Sequence, residues 1–281
     1  MERQETLKPG ELAPPVRSLF AYVVLAIVVA VLYLTVRLVV LKRTFSLVWD
    51  LYLDEFIFFF VPLMIVMFIW RLDTRSILQL RRVAWRHLPV FAGAGFVLVA
   101  FQVFLLALAS RVVPDIARYL DLNSYFGYES ITKTILALPW AGQLWVVGLA
   151  PALIEELLFR GYIQTTLVGR LGVQRGIWVT AALFALVHLG MLRIPFDLIV
   201  SYIMGYMVVR YRSVWPAVVF HLTNNVVNLA VLNFLPGFDT EQLSGVSLVL
   251  MAVAVAYMGW KIVRFLLQAS AELRVEAALM P

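Results

Sequence analysis

The stretch Leu19–Leu41 reads LFAYVVLAIVVAVLYLTVRLVVL, with Arg37 as its one charge. A bilayer's hydrocarbon core is about 30 Å thick and an α-helix rises about 1.5 Å per residue, so about 20 apolar residues cross it. This stretch is too long for the core of a signal peptide and no small-residue cleavage site follows it. It is therefore expected to be retained as a span. Seven further stretches repeat the pattern: Trp49–Trp70, Leu88–Ser110, Gly142–Val168, Ile177–Leu192, Pro195–Val209, Val214–Leu235 and Val246–Leu267. The fifth and sixth are short, are separated only by the Arg193–Ile194 corner, and read as a tight helical hairpin, with one broken span as the alternative. The expected fold is an all-α integral membrane protein of about eight transmembrane helices.

Composition agrees. Hydrophobic residues make up 63% of the 281 residues and charged residues 14%, against about 45–50% and about 25% in soluble proteins. A soluble protein of this size has too little interior to hide so much apolar surface. The absence of cysteine excludes disulfides, thiol catalysis and cysteinyl zinc sites. The net charge of +6 reads as loop charge on one membrane side rather than as a nucleic-acid surface.

With eight spans, fifteen Lys and Arg fall on the side that carries both termini and six on the other. The larger group includes five arginines between Arg71 and Arg86. The smaller is Lys42, Arg43, Arg111, Arg118, Lys133 and Arg193. The positive-inside rule then puts both termini in the cytoplasm. Trp49, Trp70, Trp140, Trp178, Trp215 and Trp260 fall at span ends, where an amphipathic ring prefers the interface. The expected organisation is a cytoplasmic tail 1–18, a bundle 19–267 with its motif-bearing part at 142–235, and a cytoplasmic tail 268–281. The connection from Arg111 to Ala141 reads as plain loop or as an amphipathic segment on the outer surface.

An ionisable residue inside a span costs a few kcal/mol, so it faces the bundle interior and usually has a partner. Inside the spans the motif charges Glu155, Glu156 and Arg160 remain, with two of the three histidines, His188 and His221. His87 belongs to the basic loop. Adjacent helical residues point about 100° apart, so Glu155 and Glu156 face different neighbours. Glu156 and Arg160, four apart, share a face and are placed to pair. His221, Asn225 and Asn228 share a face of the seventh span. A single group of this kind is most simply structural; several on three spans argue for a site. Helical rise puts Glu155 about 20 Å, His188 about 16 Å and His221 about 10 Å from the cytoplasmic ends of their spans, a depth at which they can meet.

A carboxylate, two imidazoles and an amide fit activation of water for attack on a carbonyl. Imidazole and amide N–H groups would stabilise the oxyanion. No HExxH, Gly-x-Ser-Gly or Gly-x-Gly-Asp segment occurs, which argues against other intramembrane protease designs. A transporter with an intramembrane proton relay fits less well, since the polar residues cluster on three spans without paired broken helices.

Glu155-Glu156-x-x-x-Arg160, Phe184-x-x-x-His188 and His221-x-x-x-Asn225, in order on successive spans, resemble the three motifs of the CPBP family. That family comprises the CAAX prenyl proteases of the Ras-converting-enzyme type and the bacteriocin-processing or self-immunity (ABI) proteins. The resemblance covers roughly Gly142 to Leu235. It implies an eight-helix intramembrane endopeptidase with a cavity open toward the cytoplasm, in a bacterial or archaeal cytoplasmic membrane. It also implies that Glu155 and His188 activate water, that His221 and Asn225 form the oxyanion hole, and that Glu156 and Arg160 hold the site together. The substrate would be a membrane-anchored protein or peptide cleaved near its C-terminus; a non-catalytic immunity or peptide-binding role is the alternative. No cofactor is expected. By composition Glu155, His188 and His221 also make up a two-histidine, one-carboxylate zinc set. The metal-free reading is preferred because no local ligand pair exists.

Overall fold

The computed structural model of the chain describes residues 13–36, 53, 55–112, 128–188, 194–235 and 243–279. Among these no strand occurs. Apart from the single turn Thr74–Ile77, nine helices follow one another. They are α1 (Val16–Thr35), α2 (Glu55–Ile69), α3 (Trp85–Val112), α4 (Tyr128–Leu136), α5 (Trp140–Leu171), α6 (Val173–Val187), α7 (Ile194–Tyr211), α8 (Trp215–Phe234) and α9 (Gly245–Leu279). An all-helical design is what lipid demands, since a helix satisfies its own backbone N–H and C=O groups where no water can.

Six of these helices, α1, α3, α5, α7, α8 and α9, are long and apolar enough to cross a membrane. The expectation of eight spans is corrected to six by this measure. The helices α2 and α6 coincide with the second and fifth expected spans and are apolar but shorter. The 15 residues of α6 rise only about 22 Å. Arg37, Lys42, Arg43, Trp49, residues 113–127 of the 111–141 connection and Arg193 of the expected hairpin corner lie outside the described residues. Within the described part of that connection, α4 is helical.

The chain divides into two compact units, Met1–Val83 with Leu149–Val218, and Ala84–Gly148 with Val219–Pro281. In the first, α1 lies on α2, α2 lies on the Ala150–Glu156 segment of α5, and α6 packs on both α7 and the end of α5. The Tyr162 hydroxyl donates to Ser18 Oγ at 2.8 Å and so pins α5 to α1. In the second, α9 packs on α3, and His87 meets the ring of Phe265 edge-on at 5.4 Å. Half of the apolar window of α5 is buried, against 6% for α9 and 11% for α1. Polar side chains on α5 are therefore hidden from lipid, whereas α9 and α1 offer lipid mostly apolar surface.

Two features of α5 prepare the site. Short π-helical turns, Leu144–Leu149 and Leu157–Ile163, flank the regular segment Ala150–Glu156. Such bulges widen the backbone locally and recur at functional positions. At its far end α5 turns into α6 through Gly172 alone, at φ 80° and ψ 166°, a backbone region open essentially only to glycine. One turn into α6, a Cβ on Gly176 would lie 2.6 Å from the backbone of Val168, so the two helices approach as closely as backbones can. Gly176→Val is expected to destabilise the protein by about 1–3 kcal/mol through overpacking. Gly93→Ala, whose Cβ would meet nothing within 4 Å, should be near neutral. Thermal unfolding in detergent, followed by circular dichroism, measures both.

Candidate active site

In the first unit the motif residues of α5 are enclosed. Glu156 and Arg160 are fully buried and Glu155 is 7% exposed. The adjacent glutamates take different neighbours. Glu156 Oε2 forms an ion pair with Arg160 Nε at 3.1 Å, one helical turn away. The guanidinium also donates from Nη2 to Ser201 Oγ on α7 at 3.0 Å and lies 4.1 Å over the ring of Phe184 on α6. One arginine thus ties three helices together, as its planar, multi-donor head allows.

Phe184 has a second task. Its carbonyl O lies 2.8 Å from His188 Nδ1. A carbonyl can only accept, so Nδ1 carries the ring proton, and a neutral His188 presents Nε2 as a lone-pair acceptor. That Nε2 lies 3.8 Å from Glu155 Oε2. The gap is too long for a direct hydrogen bond, but a water within about 2.8 Å of each atom fits between them. His188 caps the end of α6 and its side chain is 25% exposed, against 9% for that of Glu155. The histidine is the more accessible partner of the two.

Two acids inside apolar helices were missed by reading only the motifs, which corrects the expectation that Glu155, Glu156 and Arg160 complete the intramembrane charges of this region. Glu55, in the π-helical start of α2, lies near Glu155. Asp197, 6% exposed on α7, lies one turn from Ser201 on the same helix face. The signal for both was present: an acidic residue within an apolar stretch, the same signal that singled out α5.

In the second unit, α8 carries His221, Asn225 and Asn228. Asn225 Nδ2 donates to the Val147 carbonyl of α5 at 2.9 Å, and Asn224 Nδ2 donates to Asn225 Oδ1 at 3.4 Å. Asn228 Nδ2 returns to the Asn224 carbonyl at 2.9 Å. Further along α8, Asn233 and Gln143 exchange amide hydrogen bonds of 2.7 and 3.3 Å. The α8 helix is thereby stitched to the start of α5 by side-chain amides, a common means of joining helices in lipid.

The structure thus brings Glu155 to His188 and Glu156 to Arg160 in one unit, and sets His221 and Asn225 on α8 in the other. Among the described residues, no group of three or more His, Cys, Asp and Glu is arranged to hold a metal ion.

Removing Arg160 leaves Glu156 as a buried, uncompensated charge, which typically costs about 3–5 kcal/mol. Arg160→Ala is expected to lose that much stability, and Glu156→Leu with Arg160→Met to recover most of it, because an apolar pair of similar volume replaces both charges. Unfolding midpoints of the three proteins in one detergent test this. A double variant no more stable than Arg160→Ala would show that the pair is not what Arg160 contributes.

Residues 137–227 match the family model described as Rce1-like, type II CAAX prenyl endopeptidase. The match spans α5 to α8 and includes Glu155, Glu156, Arg160, Phe184, His188, His221 and Asn225. It supports the CPBP/CAAX protease family, to which the three motifs point. No curated protein and no solved structure matches the chain.

Proposed function

We propose, from the premise that this multi-pass membrane chain carries a core segment of the CPBP/CAAX protease type, that it hydrolyses a peptide bond of a membrane-anchored protein or peptide with a water activated by Glu155 and His188. The observation that carries this reading is the Glu155 to His188 approach of 3.8 Å, with His188 Nδ1 held on its own helix.

In the proposed reaction a water bridges Glu155 Oε2 and His188 Nε2. Glu155 takes its proton as the oxygen attacks the scissile carbonyl carbon. The resulting tetrahedral oxyanion is stabilised by N–H groups of His221 and Asn225, roles that rest on the motif resemblance. Collapse breaks the C–N bond, and the proton held by Glu155 passes to the departing amine. Glu156 and Arg160 hold α5, α6 and α7 in register and take no proton. The reaction uses no metal ion. The cationic side of the protein, with both termini, faces the cytoplasm, where a C-terminal segment of an anchored substrate would enter.

Glu155→Ala and His188→Ala are each expected to lower cleavage by about 10²–10⁴-fold, the usual range for a positioned acid–base group, while helicity by circular dichroism stays unchanged. The assay is proteoliposomes with a quenched fluorogenic CAAX peptide, prenylated and unprenylated, followed by membrane proteomics of cells expressing wild type or Glu155→Ala. Wild-type turnover with an active Glu155→Ala protein would sink the mechanism. Biological activity retained by an inactive Glu155→Ala protein would favour the immunity or peptide-binding role. Chelators should leave the rate unchanged; a loss reversed by zinc would overturn the metal-free reaction.

A further inference from the structure

An α-helical carbonyl accepts from the N–H four residues ahead. For Val147 that residue is Pro151, which has no N–H to give. The backbone upstream has relaxed into the π-helical turn Leu144–Leu149, the kind of distortion a proline imposes. In lipid a carbonyl deprived of its partner is costly, because no water replaces it. Here Asn225 Nδ2 supplies the donor at 2.9 Å from Val147 O. The amide orientation is unambiguous, since the reversed amide would set two oxygens against each other. Its other end is held as well: Asn225 Oδ1 accepts from Asn224 Nδ2 at 3.4 Å. The helix carrying Asn225 lies close at this level, with Leu222 and Val226 side chains 3.6 Å from the Cβ position of Gly148.

We infer that Asn225 is a positioning residue that stands in for the backbone N–H missing at Pro151, clasping the proline break of α5 to α8. One of its two amide protons is committed to Val147. The amide plane is thereby fixed, and the second proton alone is left for a substrate. This rests on the reading of Asn225 as an oxyanion donor only in its last step; the clasp itself does not depend on it. Aspartate cannot replace it, having no N–H, and alanine removes the donor. Restoring the backbone donor at residue 151 should make the amide dispensable for the fold.

The test is a double-mutant cycle on the full-length chain in nanodiscs: wild type, Pro151→Ala, Asn225→Ala and the combination, each read by unfolding midpoint and by kcat and KM on the fluorogenic peptide. Asn225→Ala is expected to lower the midpoint and Pro151→Ala to change it little. The combination should return it to near wild type, because the backbone N–H restored at position 151 can now reach Val147 O. A combination whose midpoint equals the sum of the single effects overturns the clasp, whether or not any variant cleaves. If Asn225→Ala alone does not fold, recovery of folded protein in the combination supports the clasp, and its absence alongside a folded Pro151→Ala overturns it. In the stability-restored combination KM should be near wild type while kcat stays down by about 10²–10³-fold, the usual effect of one lost oxyanion donor. Restoration of kcat as well would support the clasp and remove Asn225 from the oxyanion hole.

Discussion

The fully buried pair of Glu156 and Arg160 is the interaction on which the site depends. Charge in hydrocarbon has to be answered nearby, and here the answer comes in three parts: a carboxylate on the same helix, a hydroxyl on α7 and an aromatic face on α6. Each part belongs to a different segment, so the guanidinium sets the spacing of all three. Once Phe184 is held under Arg160, its carbonyl is in place for His188 Nδ1, and the far nitrogen of that ring is aimed at Glu155. The approach of Glu155 to His188, on which the proposed water activation rests, is thus inherited from the Glu156 and Arg160 pair. This is why the two consecutive glutamates diverge in role: one is consumed by architecture and the other is left facing the histidine.

Much of this was legible in the sequence, and for identifiable reasons. Hydropathy located the described apolar helices within several residues, because a helix in lipid needs little more than unbroken apolarity. The i, i+4 spacing of Glu156 and Arg160 is a local property that helical geometry converts directly into contact. Glu55 and Asp197 escaped because they lack a motif around them, although their place inside apolar helices is the same physical signal. The amide stitch of Gln143 to Asn233, 90 residues apart, has no periodicity to announce it. The part of Phe184 beneath Arg160 was equally hidden, since a phenylalanine in a membrane helix is ordinary until its neighbours are known. The fifth expected span was drawn through to Leu192 because a hydropathy run does not record that the helix stops at Val187, with His188 as its cap.

Backbone irregularity shapes α5 as much as charge does. A proline and two π-helical turns within one helix would be a liability in isolation, since each leaves backbone groups poorly matched. In lipid that mismatch can be met by side-chain amides of a neighbouring helix, as Asn225 of α8 does at the Val147 carbonyl. The Thr166 and Thr180 hydroxyls stay on their own helices and return to carbonyls one turn back at 2.8 Å. Polar residues in such a protein are few, and most serve the backbone before anything else.

The single-residue corner at Gly172 bears on how the chain enters the membrane. At 15 residues, α6 falls short of the thickness it would have to cross, and its C-terminal histidine adds polarity at the end that would lead. Released alone from the translocon it would gain little by partitioning into lipid. Joined to α5 without slack, and seated on it through Gly176, it is built to enter lipid with α5 as the second arm of a hairpin. Insertion of the histidine that faces Glu155 is then expected to be coupled to insertion of Glu155 itself.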